Sequence, residues 1–224
     1  MFLRLSYDLS FDAPGWPGMP KLEARRTLSM DRGDTANLTQ LTLCPHFGTH
    51  LDTPLHFTQH GPAVTDLPVE AFIYEQPLVI DIPKGAKELI TADEIRARLP
   101  VPNECDCLLI RTGFSRFRTA DPKLYSAQGP ALSPEAARFV LDAIPTLRAI
   151  GVDFISIASP AMPEEGVETH RVLLGYYDPR RWVIILEDAN LAFDLTGLKR
   201  VFALPLFLQG AEGSPCAIVA EVER

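Results

Sequence analysis

The segment Cys44-Pro45-His46-Phe47-Gly48-Thr49-His50-Leu51-Asp52-Thr53-Pro54-Leu55-His56-Phe57 limits what this chain can build more than any other stretch. Three of the five histidines lie in it, within eleven residues. Gly48 and Pro54 interrupt any continuous helix, the first by backbone freedom and the second by removing a donor. His46, His50, Asp52 and His56 all occupy even positions, and side chains two apart in an extended backbone point the same way. A strand that opens into a loop would therefore aim all four at one spot. Imidazole is the commonest metal ligand and titrates near neutral pH. Divalent ions of the zinc and manganese type take imidazole nitrogen and carboxylate oxygen together, and His46, His50 and Asp52 would fill one face of such an ion. Buried polar groups rarely go without partners. A cluster that binds or transfers something is thus expected over a set of hydrogen-bonded core histidines.

The chain has 224 residues and a formal charge of −8. That length favours one substantial unit, residues 1–224, large enough to bury a sizeable core. Arg25-Arg26 and Arg180-Arg181 are isolated pairs, so no nucleic-acid-binding surface is expected. The four cysteines, Cys44, Cys105, Cys107 and Cys216, lack the density of a disulfide scaffold. Cys105 and Cys107 read as buried thiols beside the apolar run Leu108-Leu109-Ile110. There is no signal-peptide pattern and no apolar run of membrane-spanning length, which makes the cytoplasm the expected compartment.

Apolar periodicity predicts strands over 2–9, 25–30, 37–43, 78–82, 107–111, 152–157, 182–186, 201–208 and 217–222. Helices are predicted over 91–99, opened by a Thr91/Glu94 capping box, and from Ser133 to about Ile150, kinked at Pro145 and closed by Gly151. A short helix is expected over 170–174. Strands outnumber helices, giving an α/β fold with a largely β core and a few covering helices.

The remainder of a site must come from elsewhere in the chain. His170 is the only histidine beyond residue 60 and so the first candidate. Glu187 closes an apolar strand, where it either completes a site or reaches solvent. Glu164, Glu165 and Glu168 read as solvated loop residues. Trp16, between prolines, either pins a loop or offers a flat face to an aryl substrate. His60, followed by Gly61-Pro62, is equally well a turn residue. Thr112-Gly113 reads as a strand-end turn.

The pattern His46-x-Gly48-Thr49-His50-x-Asp52-x-Pro54-x-His56-Phe57 resembles the hallmark of the metal-dependent cyclase family, which includes bacterial kynurenine formamidases and isatin hydrolases. Trp16-Pro17-Gly18, Leu109 to Gly113, Gly151-Val152-Asp153, and His170 followed by Glu187-Asp188-Ala189-Asn190-Leu191 resemble further family segments in the same order. The resemblance implies a swivelling β/β/α domain, assembled as a homodimer or homotetramer. It implies two divalent ions, zinc or manganese. His46 and His50 would hold one, His170 the second, Asp52 would bridge them and Glu187 touch both. His56 would transfer protons and Trp16 line the substrate pocket. The segment Tyr176 to Arg181 lengthens the interval between His170 and Glu187.

A metal with three protein ligands and a general acid–base suits hydrolysis of an aryl amide, formamide, lactam or lactone without a serine nucleophile. No Gly-x-Ser-x-Gly elbow or phosphate-binding loop is present. The expected activity is that of an arylformamidase. The alternatives are an isatin hydrolase-like lactam or lactone hydrolase, or a structural metal protein. Structural zinc sites usually close with four ligands and often use cysteine, and Cys44 has the wrong parity to join the cluster.

Overall fold

The protein is described by a computed structural model covering residues 1–100 and 104–223. The chain opens with β1 (Phe2–Arg4), then β2 (Glu23–Leu28) and β3 (Leu38–Thr42), which pair as an antiparallel ribbon. Leu28, Leu38 and Leu41 of that ribbon are exposed. β4 (His50–Asp52) follows, and a 3-10 turn over Pro54–His56 comes next. Proline sits at the first position of that turn, where its missing N–H has no partner to lose. The backbone between His46 and His56 is therefore extended over three residues only, and His46 and His56 arrive from turns. Parity accounts for His50 and Asp52 sharing a face, and it fails for the other two.

β5 (Ile73–Tyr74), β6 (Pro77–Asp81), β7 (Leu89–Ile90), α1 (Ala92–Arg96) and β8 (Cys107–Arg111) come next. The capping box on α1 forms: Thr91 N–H donates to Glu94 Oε2 at 2.9 Å, and Thr91 Oγ1 accepts from Glu94 N–H at 3.4 Å. Two short helices, α2 (Phe117–Ala120) and α3 (Pro122–Ala127), lead to β9 (Ala131–Leu132) and α4 (Pro134–Ala143). α4 is shorter than expected. It stops before Pro145 instead of kinking through it, because proline offers no N–H to continue the ladder. The residues beyond form β10 (Ala149–Val152), which ends where a strand was expected to begin. Gly151 is not a helix cap. It lies mid-strand, where a Cβ would come within 2.6 Å of Leu109 Cδ2 and 3.3 Å of Leu186 Cβ.

α5 (Pro163–Leu173) replaces the short helix expected at its end, and it carries Glu164, Glu165 and Glu168 as helical residues. Pro163 starts it, and the two acids in its first turn favour the helix dipole. β11 (Ile184–Glu187), β12 (Leu198–Pro205) and β13 (Gly213–Val222) complete the chain.

One nine-stranded sheet organises these elements, in the order β5-β12-β13-β4-β11-β10-β8-β6, with β1 added to β13. The run β6-β8-β10-β11 is parallel, and the pairings from β11 through β4, β13 and β12 to β5 are antiparallel. β12 also approaches β6, so the sheet curls almost into closure. The parallel strands are apolar on both faces, as strands covered on both sides must be. Leu108, Ile110, Ile150 and Ile185 pack against Ile95 of α1, Val140 of α4 and Leu173 of α5. Leu109, Leu186 and Leu51 turn inward to meet Val201 and Ile218. Each fully buried side chain of this kind contributes roughly 1.5–3 kcal/mol before chain entropy is offset. Cys105 and Cys107 are buried thiols, as expected. Among the described residues, no helix is long and apolar enough to cross a membrane.

Candidate metal centre

β4 lies between the two halves of the sheet. Its antiparallel register with β11 sets His50 opposite Glu187, and its register with β13 sets Asp52 opposite Gly213. Leu51 points into the core while His50 and Asp52 face the other way, toward α5. His170 comes from the buried face of that helix. The sheet and one helix thus bring together side chains from three remote parts of the chain.

The distances are short and the shell is dry. His46 Nδ1 lies 2.8 Å from Asp52 Oδ1, and His50 Nε2 lies 3.5 Å from the same oxygen and 3.2 Å from Glu187 Oε2. His170 Nε2 lies 3.7 Å from Asp52 Oδ2 and 3.5 Å from Glu187 Oε1. His50, Asp52, His170 and Glu187 are all at most 5% exposed. His56 stacks on the His46 ring at 4.1 Å between centroids, and Phe57 stacks on His170 at 4.6 Å.

Hydrogen bonding fixes the direction of each imidazole. His50 Nδ1–H donates to Gly48 O at 2.8 Å, and His170 Nδ1–H donates to Gly166 O at 2.8 Å. A carbonyl only accepts, so in the neutral ring the other nitrogen, Nε2, carries a lone pair toward the carboxylates. His46 is held the same way from its outer side, with Nε2 at 3.2 Å from Glu212 Oε1 and Nδ1 turned inward. His50 Nε2 and both Asp52 oxygens are buried and, close as the neighbouring nitrogens and oxygens stand, form no well-aligned hydrogen bond among the described residues. Such orphaned acceptors are costly unless a cation lies among them. Two donors bound about 2.1 Å from one ion at near-tetrahedral angles stand roughly 3.4 Å apart, and the separations here, 2.8 to 3.7 Å, bracket that value. Histidines anchored at the far nitrogen and aimed at a shared point are the usual dress of a metal site. The donor set fits a divalent ion.

Two donor trios overlap: His46, Asp52 and His56, and His50, Asp52 and Glu187, with the atoms of each trio within 4.8 Å of one another. The two oxygens of Asp52 face different partners, His46 and His50 on one side and His170 on the other.

Without an ion, the cluster is held by charge. Burial opposes protonation of His50, but the Glu187 carboxylate 3.2 Å from its Nε2 and the charge of Asp52 override that and raise its pKa to about 9. Burial likewise opposes charge on His170, and Asp52 and Glu187 raise it to about 10. Glu187, despite burial and the repulsion of Asp52, is drawn down to about 2 by His170 and His50. His56 differs: burial dominates and lowers its pKa, which keeps the ring neutral at pH 7.

Trp16, Met19, Phe57, Ile155 and Val167 wall a cavity of about 260 Å³ whose floor is the histidine cluster. Trp16 is half-buried there. His60 is exposed and lies by another surface hollow with Tyr176 and Trp182. Thr112 and Gly113 form a turn whose N–H groups donate to the buried Asp153 carboxylate at 2.9 and 2.8 Å.

Three residues escaped the sequence. Glu212 holds His46, but only the pairing of β13 with β4 brings it near. Ser156 donates to Glu187 Oε1 at 2.9 Å, beside Ile157 N–H at 2.7 Å. Asp188 is buried with φ +51°, and its carboxylate meets Arg118 and Tyr125. The only signal available was the adjacency of Asp188 to Glu187.

Gly213 is tightly placed. A Cβ there would lie 2.7 Å from His46 Cε1 and 2.9 Å from Leu51 O. Gly213→Ala is expected to push His46 aside, weaken divalent-ion affinity about tenfold and lower stability by roughly 1–3 kcal/mol. Chelator competition and denaturant melts check this, and a variant equal to the parent in both would contradict the geometry.

Residues 3–159 match the model of the family described as "Putative cyclase", and the chain belongs to that family. It is 28% identical over 227 residues to the kynurenine formamidase of Bacillus cereus, covering 97% of this chain and 96% of that one. In fold it is similar to isatin hydrolase A from Labrenzia aggregata, with a TM-score of 0.82 at 23% identity, covering 100% of this chain and 94% of the other. It also matches a structure from Bacillus stearothermophilus described as a "predicted metal-dependent hydrolase", with a TM-score of 0.74 at 21% identity and coverage of 98% and 97%.

Proposed function

We propose that this chain is a metal-dependent hydrolase of an amide-type bond, with an arylformamidase-like activity. One observation carries the reading. Three imidazoles, each anchored at its outer nitrogen, turn toward the Asp52 and Glu187 carboxylates at the floor of an apolar cavity. In the assignment we favour, His46, His50, Asp52, His170 and Glu187 would hold the metal as two divalent ions, with His46 and His50 on one and His170 on the other. The ions would be zinc or manganese, both of which accept nitrogen and oxygen donors.

A divalent ion bound there would acidify water to a pKa of about 7 and polarise a carbonyl. The chain's own residues do the rest. Neutral His56 takes a proton from the attacking water and returns one to the leaving nitrogen as the carbon–nitrogen bond breaks. Trp16 and Phe57 flank the ring of the substrate, and the apolar walls keep out bulk water. A structural site has no need to open onto such a cavity.

The lining also favours a second reading, hydrolysis of an uncharged cyclic aryl amide or lactone. No lysine or arginine lines the cavity among the described residues, so nothing there pairs with a substrate carboxylate. Exposed Leu28, Met30, Leu38 and Leu41 support a homodimer or homotetramer, and the cytoplasm remains the proposed location. The decisive experiment is elemental analysis of protein purified without chelator, followed by assays on an aryl formamide, isatin and a lactone. Absence of bound metal, or activity on none of the three, would end the proposal.

Metal-free and loaded protein should respond to pH in opposite directions. In the metal-free form the pKa values of His50 and His170 lie above their ordinary value of about 6.5. Their contribution is complete below that pH and is lost as pH rises through about 9 and about 10. Its melting temperature should fall from pH 7 to 10. Ligand imidazoles must be deprotonated, so ion affinity should rise from pH 5 to 8. Thermal melts with and without chelator test both slopes, and parallel slopes would refute this account.

A further inference from the structure

The residue after Glu187 is held more firmly than any catalytic duty of its own requires. Asp188 Oδ2 accepts from Arg118 Nη2 at 2.8 Å, and Oδ1 accepts from Arg118 Nε at 2.9 Å and from the Tyr125 hydroxyl at 2.5 Å. Arg118 is itself pinned, with its guanidinium 3.9 Å above the Tyr7 ring. Asp188 and Tyr125 are fully buried, and the Arg118 side chain is only 10% exposed.

The backbone of Asp188 is fixed too. Its φ of +51° is a left-handed turn that aspartate tolerates better than most side chains. Its N–H donates to Phe154 O at 2.9 Å, two residues before Ser156, whose hydroxyl holds Glu187. Its carbonyl accepts from Thr49 Oγ1 at 2.7 Å, next to His50. Asp188 therefore joins the loop that holds Glu187, the start of the strand that carries His50, and the two helices α2 and α3. It touches neither the cavity nor the converging donor atoms.

We propose that Asp188, clamped by Arg118 and Tyr125, is a positioning residue that sets the aim of Glu187 and His50 at their shared centre. This rests on the metal reading given above. A bidentate guanidinium–carboxylate pair fixes direction as well as distance. Outer partners of metal ligands act by orienting them.

The test uses protein stripped of metal and titrated with Zn²⁺ against a chromophoric chelator, and with Co²⁺ for its visible spectrum. Three variants are compared with the parent. Asp188→Asn keeps the left-handed turn and loses the ion pair. Arg118→Lys keeps the charge and loses the fork. Tyr125→Phe deletes one hydroxyl. Val140→Ala, in the buried face of α4, is a control that lowers stability away from the site. Zn²⁺ affinity should fall about 10–100-fold in Asp188→Asn and Arg118→Lys, and about tenfold in Tyr125→Phe. The Co²⁺ bands should shift in all three variants, while Val140→Ala melts earlier and binds as the parent does. Folded variants that bind Zn²⁺ within about threefold of the parent, with an unchanged Co²⁺ spectrum, would overturn the inference. If Asp188→Asn does not fold, Tyr125→Phe and Arg118→Lys decide by the same criterion. A parent that takes up no metal would overturn the metal reading itself, and this inference with it. Normal uptake by the parent and by every variant overturns this inference alone.

Discussion

Asp52→Asn is expected to strip the protein of bound metal and to lower turnover by about 1,000-fold or more, since several kcal/mol of charge stabilisation leave with the ion at about 1.4 kcal/mol per tenfold. Both oxygens of Asp52 are buried and face imidazole nitrogens, His46 and His50 on one side and His170 on the other. Asparagine has the same shape but turns one oxygen into an NH₂ donor. The change removes the negative charge that three imidazoles and any ion share. Circular dichroism should show a retained fold, because Leu51 and the sheet register do not depend on the carboxylate. Elemental analysis and a turnover assay together check the expectation. A variant that keeps the parent's metal content and activity would remove Asp52 from the centre.

His56→Ala should lose about 100- to 10,000-fold in turnover, the usual weight of general acid–base help, while metal content stays at the parent's level. Burial keeps this ring neutral, and it stacks on His46 at 4.1 Å. A neutral imidazole at the cavity floor can accept a proton and hand it on. His56 also lies within reach of His46 and Asp52 as a third donor. Parallel loss of metal and activity would therefore make it a ligand instead, and the two outcomes are separable in one preparation.

The parts of this molecule that depend on near neighbours were legible in the chain. The twelve residues from His46 to Phe57 announce a site, β8 has the predicted bounds, and the caps of α1 and α4 form from the residues that suggest them. Long-range register was not legible. Glu187 was ambiguous because its value depends on standing opposite His50, which only the β4–β11 pairing decides. Glu212 gives no local sign at all. The C-terminal end of α4 and the start of α5 were misplaced for a related reason. Pro145 and Pro163 each admit a helix on one side only, and which side is occupied is settled by packing against the sheet.

The position of β4 has a mechanical consequence. It is the seam where the parallel half of the sheet meets the antiparallel half, and the donors that crowd there come from β4 and its flanking turns, from β11 and from α5, with Glu212 beside β13 holding His46. An ion among them would act as a staple across the seam. At a hundredfold excess over its dissociation constant it would add about 2.7 kcal/mol to the folded state. Amide exchange in β11 and β13, which share no hydrogen bonds with each other, should then slow together when the staple is in place and quicken together when it is withdrawn.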